Sequence, residues 1–280
     1  MRIHHFSLVL LLAAALDARP AEAQFNVPDP APAENFALEL GAMFWSPTPE
    51  VLIQTGALAQ IGETDVDLVQ EFGIEEERFT EYRIVLKAGR KHKIRFSHVP
   101  MEYDQEAVLQ RTIEFGGQSF PVNVPATAHL KWSLWRFGYE WDFVAADRGL
   151  LGFIVDLKYN QISAELAAEG FGSEVTEATA PVPTIGAIAR VYPHRAFSIT
   201  AEFTGFKMPG FVGNRIAESL GDDDDFDAKL VDFDIYGTLN FGRHVGIQGG
   251  YRSLTADYLI DEDSGDLKMK GTYFGGLLRF

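Results

Sequence analysis

Cysteine is absent from all 280 residues. That excludes a disulfide scaffold, a thiolate metal site and lipid attachment through an N-terminal cysteine, and it fits an exported chain that avoids disulfides. Long apolar runs are scarce too. The run from Phe6 to Leu16 is too short to cross a bilayer as a helix, and no later segment approaches the eighteen or so apolar residues such a helix needs. A helical membrane protein is therefore excluded. Basic residues are few beside acidic ones: 24 Lys and Arg against 40 Asp and Glu give a formal charge of -16. Nucleic acid is not expected as a partner, because phosphate binding requires clustered Lys and Arg. The chain also lacks a G-x-S-x-G nucleophile motif, a metal-ligand spacing, a phosphate-binding glycine loop and a dinucleotide fingerprint, so neither a cofactor nor a metal is expected.

What is present begins with a leader. Met1-Arg2-Ile3-His4-His5 is a short basic start, the apolar run follows, and Ala21-Glu22-Ala23 supplies the small-x-small pattern of a cleavage site. The chain thus divides into a signal peptide (1–23), a Pro-rich periplasmic lead-in (24–34) and one domain (35–280). Cleavage leaves the charge at -16, since Arg2 and Arg19 offset Asp17 and Glu22. A mean hydropathy of -0.04 suits a soluble protein. It equally suits a membrane barrel, in which lipid-facing and interior residues alternate.

Period-two alternation dominates the domain and predicts about ten strands, with eight or twelve as alternatives. In the first, Phe36, Leu38, Leu40, Ala42 and Phe44 oppose Ala37, Glu39, Gly41 and Met43. In the fourth, Trp135, Phe137, Tyr139, Trp141 and Phe143 oppose Arg136, Gly138, Glu140 and Asp142. In the eighth, Val231, Phe233, Ile235, Leu239 and Phe241 oppose Asp232, Asp234, Tyr236, Thr238 and Asn240. The phase slips at Leu134-Trp135 and around Ser253-Leu254, which reads as bulges or as strands leaving a membrane. Connections near residues 89, 147, 194 and 243 are tight, while 46–80, 104–126, 167–182, 207–227 and 261–266 are long or acidic, in strict alternation. Ala107 to Val124 reads as a hairpin extending strands three and four, and Val51 to Gly73 as an external hairpin or an additional spanning pair.

The tenth strand, Gly271 to Phe280, carries Gly275, Leu278 and a terminal Phe280, although Tyr273 stands at a usually more polar position. This pattern resembles the last strand of small Gram-negative outer-membrane β-barrel proteins of the OmpA-like and OmpW-like class. The resemblance implies an all-β, up-and-down antiparallel transmembrane barrel in the outer membrane, read by the barrel-assembly machinery through Gly275, Leu278 and Phe280. It also implies contact with outer-membrane lipid and lipopolysaccharide. Short turns and both termini then lie on the periplasmic side, and long loops lie outside. The extracellular partner is unknown.

In such a barrel the apolar set faces lipid. Trp141, Phe143, Tyr192, Phe197, Phe241 and Phe280 would form the periplasmic aromatic girdle, and Tyr103, Tyr159 and Phe206 the opposite one. The charged set then lines the lumen: Glu39, Arg83, Lys87, Lys93, Arg95, Arg136, Glu140, Asp142, Asp156, Lys158, Arg190, Glu202, Asp232, Asp234 and Arg252. With both signs represented and a bore little wider than its side chains, this set reads as ion pairs filling a plugged or narrow lumen. A structural or surface-interaction role follows, with a narrow porin-like channel for small solutes as the alternative. The acidic runs Asp222 to Asp225 and Glu75 to Glu77 read as solvated loops. A second alternative is a lipid-modifying hydrolase. His98 and His129, with Ser97, Glu102 and Ser133 near in sequence, supply the residue types of a Ser-His-acid arrangement. An enzyme is not expected.

Overall fold

A computed structural model describes residues 31–54, 66–67, 72–73, 76–115, 118–207, 226–260 and 263–280. The expected signal peptide, the Asp222–Asp225 run, Glu75 and most of 55–71 lie outside the described residues. Ten long strands form the wall: β1 (Leu38–Gln54), β2 (Phe79–Lys87), β3 (His92–Val108), β4 (Pro125–Ala146), β5 (Gly149–Ala168), β6 (Gly172–His194), β7 (Phe197–Lys207), β8 (Phe226–Phe241), β9 (Val245–Ile260) and β10 (Asp263–Arg279). Each pairs antiparallel with its sequence neighbour, and β10 returns to β1 from Glu39↔Arg279 to Gln54↔Ser264, so the sheet is a closed up-and-down barrel. Phe280 completes the seam: its carbonyl accepts from the Ala37 amide at 2.7 Å, and its own amide donates to the Leu38 carbonyl at 2.8 Å. Closure removes the edge that an aromatic-ended terminal strand would otherwise expose.

The four tight connections all fall at one end, between β2 and β3, β4 and β5, β6 and β7, and β8 and β9. At the other end the strands run further than their composition suggests. Residues 172–182 belong to β6, paired with β5 out to Ala168↔Gly172, and 263–266 belong to β10, paired with β9 out to Ile260↔Asp263. Two expected loops are therefore hairpin tips. Strands β3 and β4 likewise pair out to Val108↔Pro125, and the hairpin beyond them, Ile113–Phe115 with Gln118–Phe120, is a separate two-stranded sheet. Val66–Asp67 adds a short strand to the end of β1 at Ile53 and Leu52 rather than joining the barrel wall.

One inversion explains these departures. Near the short turns the wall is apolar outside and charged inside, with Trp135, Phe137, Tyr139, Trp141 and Phe143 exposed and Glu140 and Asp142 buried on β4. Further along the same strand the faces keep their phase but exchange chemistry. Leu134, Trp132, Leu130 and Ala128 point inward and Lys131 and His129 outward. On β1, Met43 and Trp45 are buried against exposed Thr48 and Glu50; on β9, Leu254 continues the inward face of Arg252. The expected slips at Leu134-Trp135 and Ser253-Leu254 are thus changes of environment on an unbroken pleat. The register irregularities lie instead between Trp141 and Val144 on β4 and between Phe197 and Ile199 on β7.

The loop-end half is an ordinary globular interior. Met43, Trp45, Phe79, Met101, Tyr103, Trp132, Leu230, Leu254, Leu267 and Met269 pack there as one apolar cluster, and Ile113, Phe115 and Phe120 of the extra hairpin pack into it. Strands of 22, 20 and 23 residues (β4, β5, β6) far exceed the ~9–11 residues that cross a bilayer, so about half of each projects beyond the apolar belt. Three expected girdle residues sit elsewhere for this reason. Tyr103 is buried edge-on against Phe79 at 5.1 Å, Phe206 packs on the apolar cluster, and Tyr192 turns into the short-turn mouth.

Candidate functional site

Every one of the fifteen charged residues named from the alternation lies on the interior face of the barrel, in its short-turn half. The structure joins them into two ion-paired groups and one further pair at the closing seam. Lys93 reaches Glu140 at 2.6 Å and Asp142 at 2.9 Å, and Arg95 bridges Glu140 at 3.0 Å to Glu202 at 2.8 Å. Arg136 pairs with Asp156 at 2.6 Å. Lys158, fully buried, holds Asp232 at 2.6 Å and donates to Thr204 at 2.8 Å. Arg252 shares Asp232 at 2.9 Å and approaches Glu81 at 3.2 Å, while Arg83 links Glu81 at 2.8 Å to Asp234 at 3.2 Å. Glu39 and Arg279 pair across the closing seam.

Five residues that join these groups were not in the expected lumen set. Glu81 precedes the predicted start of its strand by one residue, yet it shares the parity of Arg83 and was within reach of the pattern. Arg279 alternates with Leu278 and Phe280 in a strand read for its terminal signal. Tyr236 and Tyr273 donate to Glu202 and Asp234, each at 2.7 Å, and are phenols on a face searched for charges. Glu34 had no periodic signal. Residues Pro32–Glu34 of the lead-in form a 3-10 turn, and Glu34 is buried in the mouth, where Arg190 reaches Oε1 at 2.5 Å and the Tyr192 hydroxyl donates to it at 2.7 Å. Lys87 and Lys93 lie 3.6 and 3.7 Å from Oε2. Burial alone would raise the Glu34 pKa; Lys93, Arg190 and Lys87, with the Tyr192 hydrogen bond, outweigh it and hold the carboxyl well below its ordinary value.

Among the described residues the interior charges of this half balance. Nine cations (Arg83, Lys87, Lys93, Arg95, Arg136, Lys158, Arg190, Arg252, Arg279) face nine carboxylates (Glu34, Glu39, Glu81, Glu140, Asp142, Asp156, Glu202, Asp232, Asp234). Buried charges persist only when so compensated. Among Arg83, Arg136, Glu202, Asp232, Asp234 and Arg252 lies a cavity of about 10 Å³, the room of a single water molecule.

The residues of the hydrolase alternative divide between faces. His98 bonds Ser133 at 3.0 Å and stacks on Trp135 at 3.8 Å, on the outward face. Ser97, its neighbour, points inward with Arg95 and Val99. Among the described residues no carboxylate bonds His98, and the β3–β4 ladder runs unbroken through Val99↔Leu134 and Pro100↔Ser133. His129 lies further along that face, bonded to Asp104 and 3.4 Å from Glu102, which Lys131 also engages at 3.1 Å. Glu102, Asp104 and His129 are metal-ligand types within reach of one another, but the carboxylates are exposed and an ammonium already sits on one of them.

No family model matches the chain, and no curated protein does. Among solved structures, the outer membrane protease OmpT from Escherichia coli is similar over 87% of this chain and 96% of its own, at 8% identity and a TM-score of 0.56. A FadL homologue of Pseudomonas aeruginosa (9% identity, 89% and 90% covered, TM-score 0.38) and the translocator domain of autotransporter NalP from Neisseria meningitidis (10%, 98% and 94%, TM-score 0.34) are also similar. The fold is that of the Gram-negative outer-membrane β-barrels. Within that class the chain is a closed ten-strand antiparallel barrel.

Proposed function

We propose that this protein spans the outer membrane as a barrel with a closed lumen and serves as a structural or surface-interaction element, not as an enzyme. The observation that carries the reading is the interior itself: nine cations and nine carboxylates in ion-paired groups, followed by a packed apolar cluster. An ion would have to break paired charges and then enter an apolar interior, each step unfavourable. The belt of Trp135, Phe137, Tyr139, Trp141 and Phe143 faces lipid, lipopolysaccharide borders the polar outer wall, and the assembly machinery reads the β10 strand.

Charge along the axis supports the surface role. The sequence stretches 46–80, 102–131, 165–182, 207–229 and 257–270 carry eight Lys and Arg against twenty-seven Asp and Glu. The tight turns hold Arg90, Lys91, Arg148, Arg195 and Arg243 against Asp147. A strongly acidic outer end favours cationic partners. Planar-bilayer recording of the purified protein tests the closed lumen: the expected result is no unitary conductance, and a conductance that shifts on Arg136→Gln or Glu140→Gln selects the channel reading. Outer-membrane fractionation with heat-modifiable migration in unboiled gels tests the location, and a soluble periplasmic pool would refute it.

A further inference from the structure

The strand wall is one carboxylate short. The ten strands supply nine interior cations but only eight interior carboxylates; the ninth, Glu34, comes from the turn that precedes β1. We propose that the short-turn mouth is a carboxylate-binding site, which the chain occupies in cis with Glu34.

The receptor is built by the wall. Lys87 ends β2, Lys93 is the second residue of β3, and Arg190 and Tyr192 lie near the end of β6, across β4 and β5 from the lysines. Three cations and a phenol thus converge on one carboxylate from separate strands, the donor set that recognises such a group. Arg190 is itself positioned by Thr200 at 2.9 Å, and Lys93 by Glu140 and Asp142, so the site is held by contacts independent of Glu34. Apart from the Glu34 carboxylate, the incoming turn is held by few contacts of other kinds. Ala31 and Ala33 pack on Tyr192, and the Lys87 ammonium donates to the Glu34 carbonyl.

The fit of Glu34 is also unequal. Oε1 takes Arg190 and Tyr192 at hydrogen-bond distance, while the buried Oε2 makes no hydrogen bond and sees the two ammoniums only at 3.6 and 3.7 Å. A carboxylate tethered to the backbone fills one half of the site closely and the other half loosely. A free carboxylate solute, not so tethered, can engage both halves once the turn leaves the mouth.

Chemical rescue tests this on the full chain folded in detergent. Glu34→Ala is expected to unfold at lower temperature than the parent protein and to regain about 5 °C as acetate reaches ~100 times its dissociation constant. Chloride at equal ionic strength should leave the variant unchanged, and the parent protein should not respond to acetate. Adding Lys93→Met to Glu34→Ala should abolish the response. Equal effects of acetate and chloride, or no effect of either, overturn the proposal. If Glu34→Ala does not fold, refolding is repeated with each salt: heat-modifiable protein recovered in acetate and not in chloride supports the site, and recovery in neither refutes it.

Discussion

Leu134 and Arg136 are two residues apart on β4, point into the same barrel and inhabit different solvents. Leu134 is buried in the apolar cluster, whereas Arg136 is ion-paired to Asp156 at 2.6 Å. The level between them is where the outer face passes from Trp135 to Lys131. Inside and outside change together because a membrane-embedded wall must be apolar outward, while a projecting wall must be polar outward and apolar inward to remain folded in water.

Arg136→Leu should therefore be costly even though its neighbour is a leucine. It leaves Asp156 buried without its cation, at an expected loss of about 3–5 kcal/mol. Removing both charges with Arg136→Leu/Asp156→Leu should recover much of that loss. Urea unfolding of the two variants in lipid vesicles measures the difference; equal stabilities would show that the pair is not the unit.

The projecting half should behave as a soluble core. Trp132 is among its largest fully buried side chains, and its indole N–H donates to Asn160 at 3.1 Å. Trp132→Ala should cost about 3–5 kcal/mol by cavity formation. Trp135→Ala, on the outward face of the same strand, should cost less, and the same unfolding measurement compares them.

Glu34 predicts a pH dependence. Its pKa is lowered on folding, so its contribution is present above the unfolded value of about 4.3 and is lost as pH falls through the lower folded value. The stability gap between the parent protein and Glu34→Gln should hold constant from pH 8 to about pH 5 and close only in stronger acid. Thermal melts across that range check it. A gap closing near pH 6 would assign it to another group.

Gly275 has a packing reason beside any assembly signal. A Cβ at that position would lie 2.1 Å from the Ala42 carbonyl oxygen and 2.6 Å from the Met43 sulfur, across the closing seam. Gly275→Val should slow or prevent closure, seen as loss of the heat-modifiable band. Phe280, exposed to the outside, is bonded through its backbone, so Phe280→Ala should fold in vitro and be impaired mainly in assembly in cells.

The barrel was legible because an apolar outer face backed by a charged inner one imposes a strict period of two, and β4 and β8 display it almost without interruption. The fifteen interior charges followed from the same parity. What the pattern concealed was the exchange of environments. An apolar inward residue such as Leu134 or Leu254 looks like a slipped phase to a reading that holds the solvent constant. For the same reason residues 172–182, polar outward on a continuing strand, resembled a loop. Glu34 could not be found by any periodic argument, since a Pro-rich turn carries no period and its partners are fixed only by the closed barrel.

The seam between Glu39 and Arg279 governs how such a chain can fold at all. Its partners are 240 residues apart, so β1 is made long before the strand that completes it. Every other barrel pairing joins neighbours in sequence and can form locally; this one must wait for the whole wall. Until then β1 carries an unsatisfied edge prone to pairing with the wrong chain. Ring closure is thus the one pairing of this barrel that cannot form between sequence neighbours, and the whole loop-closure entropy of the wall falls on that single junction.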